Sequence, residues 1–396
     1  MAEFTTTYNT PIDPNTLWWE NIAGPSRLVW DLQTALVDGY SVACDISSAL
    51  SFRHDFRNAV SHWLFAKNVT VDLLDCRDDY SGEDITEYLV KKMRLDLLLD
   101  YQRRRSPQYI RDKQLLHGRL LWIRGIDPKY YRTWLQFISS YRSNNFAQGL
   151  FLFEMQNNGI LPPKFPQNLK YFSYEKYVKP DDLRLFTSIL AENYLDESAG
   201  VKQYAVELLS SLCVTDGELA YKMLSYSPFY REDPLRALSA LANEEYVDSP
   251  RGQENDHALA LLRKGKEKEL SYRVWCAQVR VGYPKIELER LQFINSRYED
   301  MQHALSVPYL NEYTHAPQYL TDYEGNRISS PYDVEVGMLV RMMNLKQYDD
   351  ESQRLLSVSD PATRDLLHLL KDCRNDLAHL EVCPTERFLK LVEESY

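Results

Sequence analysis

The sequence predicts an α/β domain built on a parallel sheet, followed by all-α middle and C-terminal domains. Three observations carry this reading. Five short apolar runs alternate with helix-patterned segments up to residue 179. Strand signals nearly vanish from about Pro180 onward, where helical periodicity takes over. A turn-rich stretch, Val307 through Pro331, then separates that helical tract from the last helices. Apolar strands alternating with helices imply a parallel sheet covered on both faces, with right-handed crossovers.

The strands are expected at Ser41 to Ile46, Val69 to Cys76, Leu120 to Ile123, Gly149 to Glu154 and, more briefly, Leu169 to Phe172. Helical periodicity marks Asp55 to Phe65 and Asp84 to Tyr101 between them. Beyond Pro180 the helical segments are Asp181 to Tyr194, Ala199 to Leu212, Asp216 to Leu224, Pro234 to Ala242, Asp256 to Arg263 and Lys266 to Leu291. This tract ends near Leu305, and Glu324-Gly325-Asn326 then marks a turn between short strands. Two strong helices follow, Val334 to Leu345 and Pro361 to Leu380, the second with Asp360 as its N-cap. A last one is expected from Thr385 to Glu394. The implied domains are 1–179, 180–306 and 307–396.

Composition narrows the function classes. Of 396 residues, 44% are hydrophobic and 26% charged, an ordinary globular balance. The net charge of −11 excludes a broad electrostatic footprint for nucleic acid, so any RNA contact must be local. Six cysteines contain no Cys-x-x-Cys pair, which argues against a zinc ribbon and fits free thiols in a reducing, cytoplasmic setting. The first residues lack a basic region followed by an apolar run, and no apolar stretch approaches the roughly 20 residues that span a bilayer, so no membrane partner is expected. Trp18-Trp19 is read as a core lid rather than a base-stacking platform.

The first half resembles a P-loop NTPase core of the STAND or AAA+ type. Such folds place Gly-x-x-x-x-Gly-Lys-Ser/Thr after the first strand, so that backbone N–H groups and a lysine hold phosphates. Here that strand runs into Ser47-Ser48-Ala49-Leu50-Ser51-Phe52-Arg53-His54, without glycine or lysine. The third strand ends in Arg124-Gly125-Ile126-Asp127 where acidic residues would position magnesium, and Glu154 stands where a polar sensor belongs. Gly265-Lys266 sits in a charged helical segment, and Ile22-Ala23-Gly24-Pro25 has one glycine and no preceding strand. The resemblance therefore implies an inactive STAND module, as in prokaryotic anti-phage systems, with no nucleotide and no other cofactor. Arg53, His54 and Arg57 read either as a solvated helix start or as a remnant anion site. Asp75, Asp78 and Asp79 read as an acidic loop, with a metal site as the alternative.

Chemistry is concentrated near the C-terminus. Leu366, Leu370, Cys373, Leu377 and Leu380 form one apolar stripe. Asn375 and His379 lie one turn apart on the opposite face, with Arg374 at its edge and the small Ala378 between. Cys373-Arg374-Asn375-Asp376-Leu377-Ala378-His379 resembles the Arg-Asn-x-x-x-His signature of the HEPN domains, a helical family rich in RNA-cleaving toxins. That resemblance implies metal-independent cleavage in which the RNA 2′-hydroxyl attacks the adjacent phosphate across two paired motifs. His379 would act as general acid or base, since histidine titrates near neutrality. Arg374 would hold the phosphate, and Asn375 would orient the histidine or a phosphate oxygen. Glu335 is a candidate partner for Arg374. A silent HEPN fold, or simply a solvated amphipathic helix, stands as an alternative. A zinc site on Cys373, His379 and Cys383 lacks a fourth ligand, and no metal is expected. The expected function is an endoribonuclease effector in antiviral defence, paired with a second copy or a protein partner and acting on RNA. The rival is a scaffold that uses both domains for protein contacts.

Overall fold

The computed structural model describes residues 12–46, 50–95, 106–156, 165–225, 228–244 and 257–393. The chain divides into two compact units: Met1–Tyr194 with Cys213–Ser225 and Leu241–Ala260, and Leu195–Leu212 with Tyr226–Ala240 and Leu261–Tyr396. The helical tract expected at 180–306 is thus shared between them.

In the first unit, α1 (Ala23–Val37) precedes β1 (Ser41–Asp45), and α2 (Arg53–Phe65) follows it. Then come β2 (Thr70–Asp75), α3 (Ile85–Lys92), α4 (Pro107–Asp112), β3 (Arg119–Arg124), α5 (Tyr131–Tyr141), β4 (Leu150–Met155) and β5 (Leu169–Ser173). The strands form one sheet in the order β2-β3-β4-β1-β5, with every pairing parallel. The five expected strands are all present. β1 and β4 are buried along their whole length, which is why they read as continuous apolar runs rather than as alternation. Cys44 on β1 lies opposite Glu154 on one side and Phe172 on the other.

The helix expected over Asp84 to Tyr101 is shorter. It starts on an Asp84 side-chain cap, which accepts from Glu87 N–H at 3.1 Å, and stops at Lys92. Arg94 adopts φ +53°, a left-handed conformation that a continuing helix cannot contain. Residues 96–101 lie outside the described residues, as do Ser47, Ser48, Ala49, Asp256 and Glu394.

The order of strands sets where a crevice opens. From β1 the chain crosses to the far edge at β2 and returns through β3 to β4, then passes β1 to reach β5. Connections from the neighbours β1 and β4 therefore leave in opposite directions. A crevice outside the carboxyl ends of the strands is expected at such a switch point. The helices α6 (Pro180–Tyr194) and α8 (Gly217–Ser225) belong to the same unit. Trp18 is fully buried, and Gly217 packs so closely that a Cβ there would sit 2.9 Å from the Trp18 ring.

The helices α7 (Ala199–Cys213), α9 (Pro234–Glu244) and α10 (Ala258–Arg263) precede the long α11 (Glu267–Ser296), which is followed by α12 (Tyr298–Ser306). Tyr309–Leu310 pairs with Pro317–Gln318, and a Thr321–Arg327 bridge closes the expected turn around Gly325. The second unit ends in α13 (Val336–Met342), α14 (Pro361–Ala378) and α15 (Thr385–Glu393). α14 packs on α11, α13 and α15. Its buried residues Leu367, Leu370, Cys373 and Leu377 recur every three or four positions, the period of one helix face. The approach is tight: a Cβ on Gly282 of α11 would lie 2.9 Å from the Phe388 ring and 3.0 Å from Leu377 Cδ1.

Candidate functional site

At the carboxyl ends of the strands a cleft of about 810 Å³ is lined by Arg53, Arg77, Tyr80, Arg124, Tyr130 and Glu154, among others. Its charges are largely settled within the protein. Glu154, nearly buried at the tip of β4, accepts from Trp122 Nε1 at 2.5 Å and from Arg53 Nη2 at 2.6 Å. Asp75 at the end of β2 receives Arg77 through Nε (2.9 Å) and Nη2 (2.6 Å), and also Arg124 through Nε at 2.9 Å. Those bonds, Arg77's first and Arg124's after, hold the Asp75 carboxyl well below the usual carboxylate range against the opposing effect of burial. Burial pushes the Tyr80 hydroxyl up to about 12, so it faces the cleft as a neutral phenol. Asp127 pairs with Lys129 at 2.9 Å, and Asp79 pairs with Lys92. Among the described residues no cluster of metal-ligating side chains occurs.

The start of α2, where a phosphate loop would present its N–H groups, is also filled. Phe52 at the N-cap has φ +49°, and its N–H donates to Glu218 Oε2 at 2.9 Å. Gly217 N–H in turn donates to the buried Ser51 Oγ at 2.7 Å. A helix N-terminus favours an anion, and here α8 supplies that anion from within the chain. Of the residues expected as a remnant anion site, Arg53 is engaged with Glu154, and His54 contacts Asn58 at 3.2 Å.

In the second unit the Arg-Asn-His segment occupies the C-terminal end of α14. Asp360 caps the helix start, accepting from Thr363 N–H at 2.9 Å. The end differs from the expected one. The helix stops at Ala378, and His379 is its C-cap. Leu380, expected on the apolar stripe, is 66% exposed at φ +61°. Glu381 N–H returns to the Asp376 carbonyl at 2.9 Å and Leu380 N–H to Leu377 at 3.4 Å, the paired bonds of a Schellman turn. No glycine marks that turn, which explains the overshoot. Of the other expected stripe residues, Leu366 is half-buried and Leu370, Cys373 and Leu377 are fully buried.

His379 and Ala378 are exposed, and Asn375 and Arg374 are half-buried. At about 100° per residue, Asn375 and His379 share the face opposite the buried one, while Arg374 lies about 140° from His379 on a flank. Arg374 Nη2 meets Glu335 Oε2 at 2.8 Å, the partner the sequence suggested, although Glu335 caps α13 instead of lying inside it. The turn that carries His379 is held from α11: Trp275 Nε1 donates to the Leu377 carbonyl at 2.9 Å, and buried Gln278 bonds the backbone of Cys383. Arg387 reaches Asp376 at 2.7 Å. Cys373 and Cys383 lie with sulfurs 3.6 Å apart in the core. The Cys373 thiol and burial push the Cys383 thiol upward, so it stays protonated near neutrality.

Sequence reasoning missed Glu218, Trp275 and Gln278. Each acts on main-chain atoms far away in sequence, and such contacts leave no local pattern. It also missed the buried pair of His257 Nε2 and Asp216 Oδ2 at 3.3 Å.

No protein-family model matches the sequence, and no curated protein does. Among solved structures, "Structure of Drosophila ORC bound to DNA" is similar at 12% identity, covering 99% of this chain and 79% of that one with a TM-score of 0.27. "Structure of Drosophila ORC bound to GC-rich DNA and Cdc6" is similar at 12% identity, covering 99% and 75% with a TM-score of 0.28.

Proposed function

We propose that the protein is a metal-independent endoribonuclease of HEPN type, controlled by a P-loop-like module of the inactive STAND kind, and that it serves prokaryotic antiviral defence. The observation that carries this reading is the C-terminal end of α14. Four buried residues fix the inner face, α11 clamps the following turn, and Asn375 and His379 are left together on the outer face with Arg374 on the flank. The defence setting and the chemistry rest on the motif's resemblance.

In this reading the RNA 2′-hydroxyl loses its proton as its oxygen bonds to the adjacent phosphorus, the P–O5′ bond breaks, and the departing 5′-oxygen takes up a proton. His379 moves that proton, and Arg374 stabilises the charge on the phosphate. Arg374 and His379 diverge by about 140° around the helix, so one copy does not aim both at one phosphate. Two facing copies, or a partner chain, complete the site. Release of Arg374 from Glu335 is then part of activation.

A second reading has a specific observation in its favour. Arg53, Glu154 and Glu218 fill the nucleotide position of the first unit from within the chain, and Glu335 occupies Arg374. Both sites would then be silent, and the protein would act as a scaffold.

RNA cleavage in EDTA separates the two. The wild-type protein should cut, His379→Ala and Arg374→Ala should abolish cutting while staying folded, and Glu335→Gln should raise the rate by freeing Arg374. Absence of cleavage by the wild type at high concentration, with partners supplied, establishes the scaffold reading instead.

A further inference from the structure

A second surface of the first unit, unrelated to the cleft or to α14, carries its own chemistry. α1 and α2 pack side by side, with Gln33 Nε2 donating to the Ala59 carbonyl at 3.0 Å. The groove along them, about 760 Å³, is lined by Trp30 and Trp63 together with Asp13, Glu20, Asp31 and Asp55. Trp30 is 68% exposed. An indole in water on a helix that buries Leu28, Val29 and Leu32 is not needed for the core. Apolar surface rimmed by polar groups marks an interaction site where it is contiguous, and here the two indoles line one groove. Phe65 at the end of α2 (61% exposed) and Val37 at the end of α1 (48%) add exposed apolar surface to the same two helices.

The charge around the tryptophans says what fits. The groove has four carboxylates against one guanidinium, Arg27, which lies 3.8 Å from Asp31. Asp31 also accepts from Tyr177 Oη at 2.8 Å, and Asp13 is used by Thr16. Glu20 remains to meet a cation among the described residues, and Asp55 has His54 Nδ1 at 4.0 Å. Trp63 already shows the contact: Lys67 Nζ sits 5.3 Å from its ring centre. Among the described residues Trp30 is the exposed ring of the two, with no cation stacked on it.

We propose that this groove docks an arginine-bearing segment of a protein partner. The guanidinium lies flat on Trp30 and pairs with Glu20 or Asp55 at the rim. Arginine fits better than lysine because its planar, weakly hydrated cation stacks on an indole while its edge still reaches a carboxylate.

The test is fluorescence anisotropy of a dye-labelled Arg-Gly-Gly repeat peptide titrated with the full chain, beside a Lys-Gly-Gly repeat of equal length. Trp30 and Glu20 are exposed, so Trp30→Ala and Glu20→Lys should keep the far-UV circular dichroism and melting point of the parent. Saturable binding of the arginine peptide is expected, weakened about tenfold by Trp30→Ala and by a smaller, salt-dependent factor by Glu20→Lys. The lysine peptide should bind several-fold more weakly. Three results overturn the proposal. One is absence of saturation by the wild type at about 1 mM. Another is binding unchanged in both variants, which would assign it to the overall charge of −11. The third is equal affinity for both peptides, which would remove the role of stacking.

Discussion

Gln278 reads the backbone of Cys383 as a paired strand would: its Nε2 donates to the Cys383 carbonyl at 2.8 Å, and its Oε1 accepts from the Cys383 N–H at 2.8 Å. One buried amide thereby satisfies both polar groups of a residue that has left the helix. Together with Trp275 on the Leu377 carbonyl, it brackets the turn containing His379.

Replacing Gln278 should therefore cost more than a lost side-chain contact. Gln278→Leu strands a buried N–H and a buried C=O, and each such group costs about 1–3 kcal/mol. Urea unfolding should show a loss of roughly 2–4 kcal/mol, and Gln278→Glu, which sets a buried carboxylate against the Cys383 carbonyl, should be no milder near neutrality. A change below about 0.5 kcal/mol would mean that water replaces the amide.

Leu380 carries a backbone penalty that glycine would remove. A non-glycine residue in the left-handed region costs roughly 1–2 kcal/mol, and the Leu380 side chain is 66% exposed, so little burial is forfeited. Leu380→Gly should raise the midpoint of thermal unfolding, by an amount equivalent to about 1 kcal/mol. A lowered midpoint would show that the leucine makes contacts that outweigh its conformation.

Glu154 depends on Arg53. Removing one partner of a buried pair usually costs about 3–5 kcal/mol. Arg53 is 35% exposed, and Trp122 continues to donate to Glu154, so Arg53→Ala should fall nearer 2 kcal/mol. Glu154→Gln, which keeps an acceptor for Trp122, should be the milder change. Chemical denaturation of both variants checks the order.

Acid should weaken the first unit through Asp75. Its carboxyl titrates lower in the folded protein than in the unfolded chain, so its contribution is complete above about pH 4 and is lost as pH falls through the folded value. Asp75→Asn should be less stable than wild type near neutrality, and the gap should narrow as pH drops from about 4 toward 2. A gap that stays constant over that range would place the effect in packing rather than in charge.

The legible parts of this fold are those whose cause is local. Val42, Ala43 and Cys44 read as a strand because a strand covered on both faces is apolar throughout. Asp360 before Pro361 reads as a helix start because the cap and the fixed φ are adjacent in sequence. Periodicity alone puts Asn375 and His379 opposite the buried face of α14, with Arg374 at the edge of that arc. The end of that helix was not legible, since Leu380 stops it without a glycine. Nor was the carboxylate on Phe52, which arrives from Glu218 across 166 residues, or the Gln278 clamp, which spans 105. Long-range bonds to main-chain atoms select one polar side chain among many, and the choice is made by tertiary geometry.

The Glu218 contact also bears on synthesis. Residues 213–225 belong to the same unit as the sheet, although the last strand ends at Ser173. A nascent chain that has released all five strands still lacks the carboxylate for the Phe52 N–H and the helix that covers Trp18. Domains generally fold as units while the chain grows. This one is complete only at Ala260, 87 residues beyond its last strand, with aromatic surface exposed in the interval. A ribosome pausing before Glu218 would hold an open sheet whose closing piece has yet to be translated.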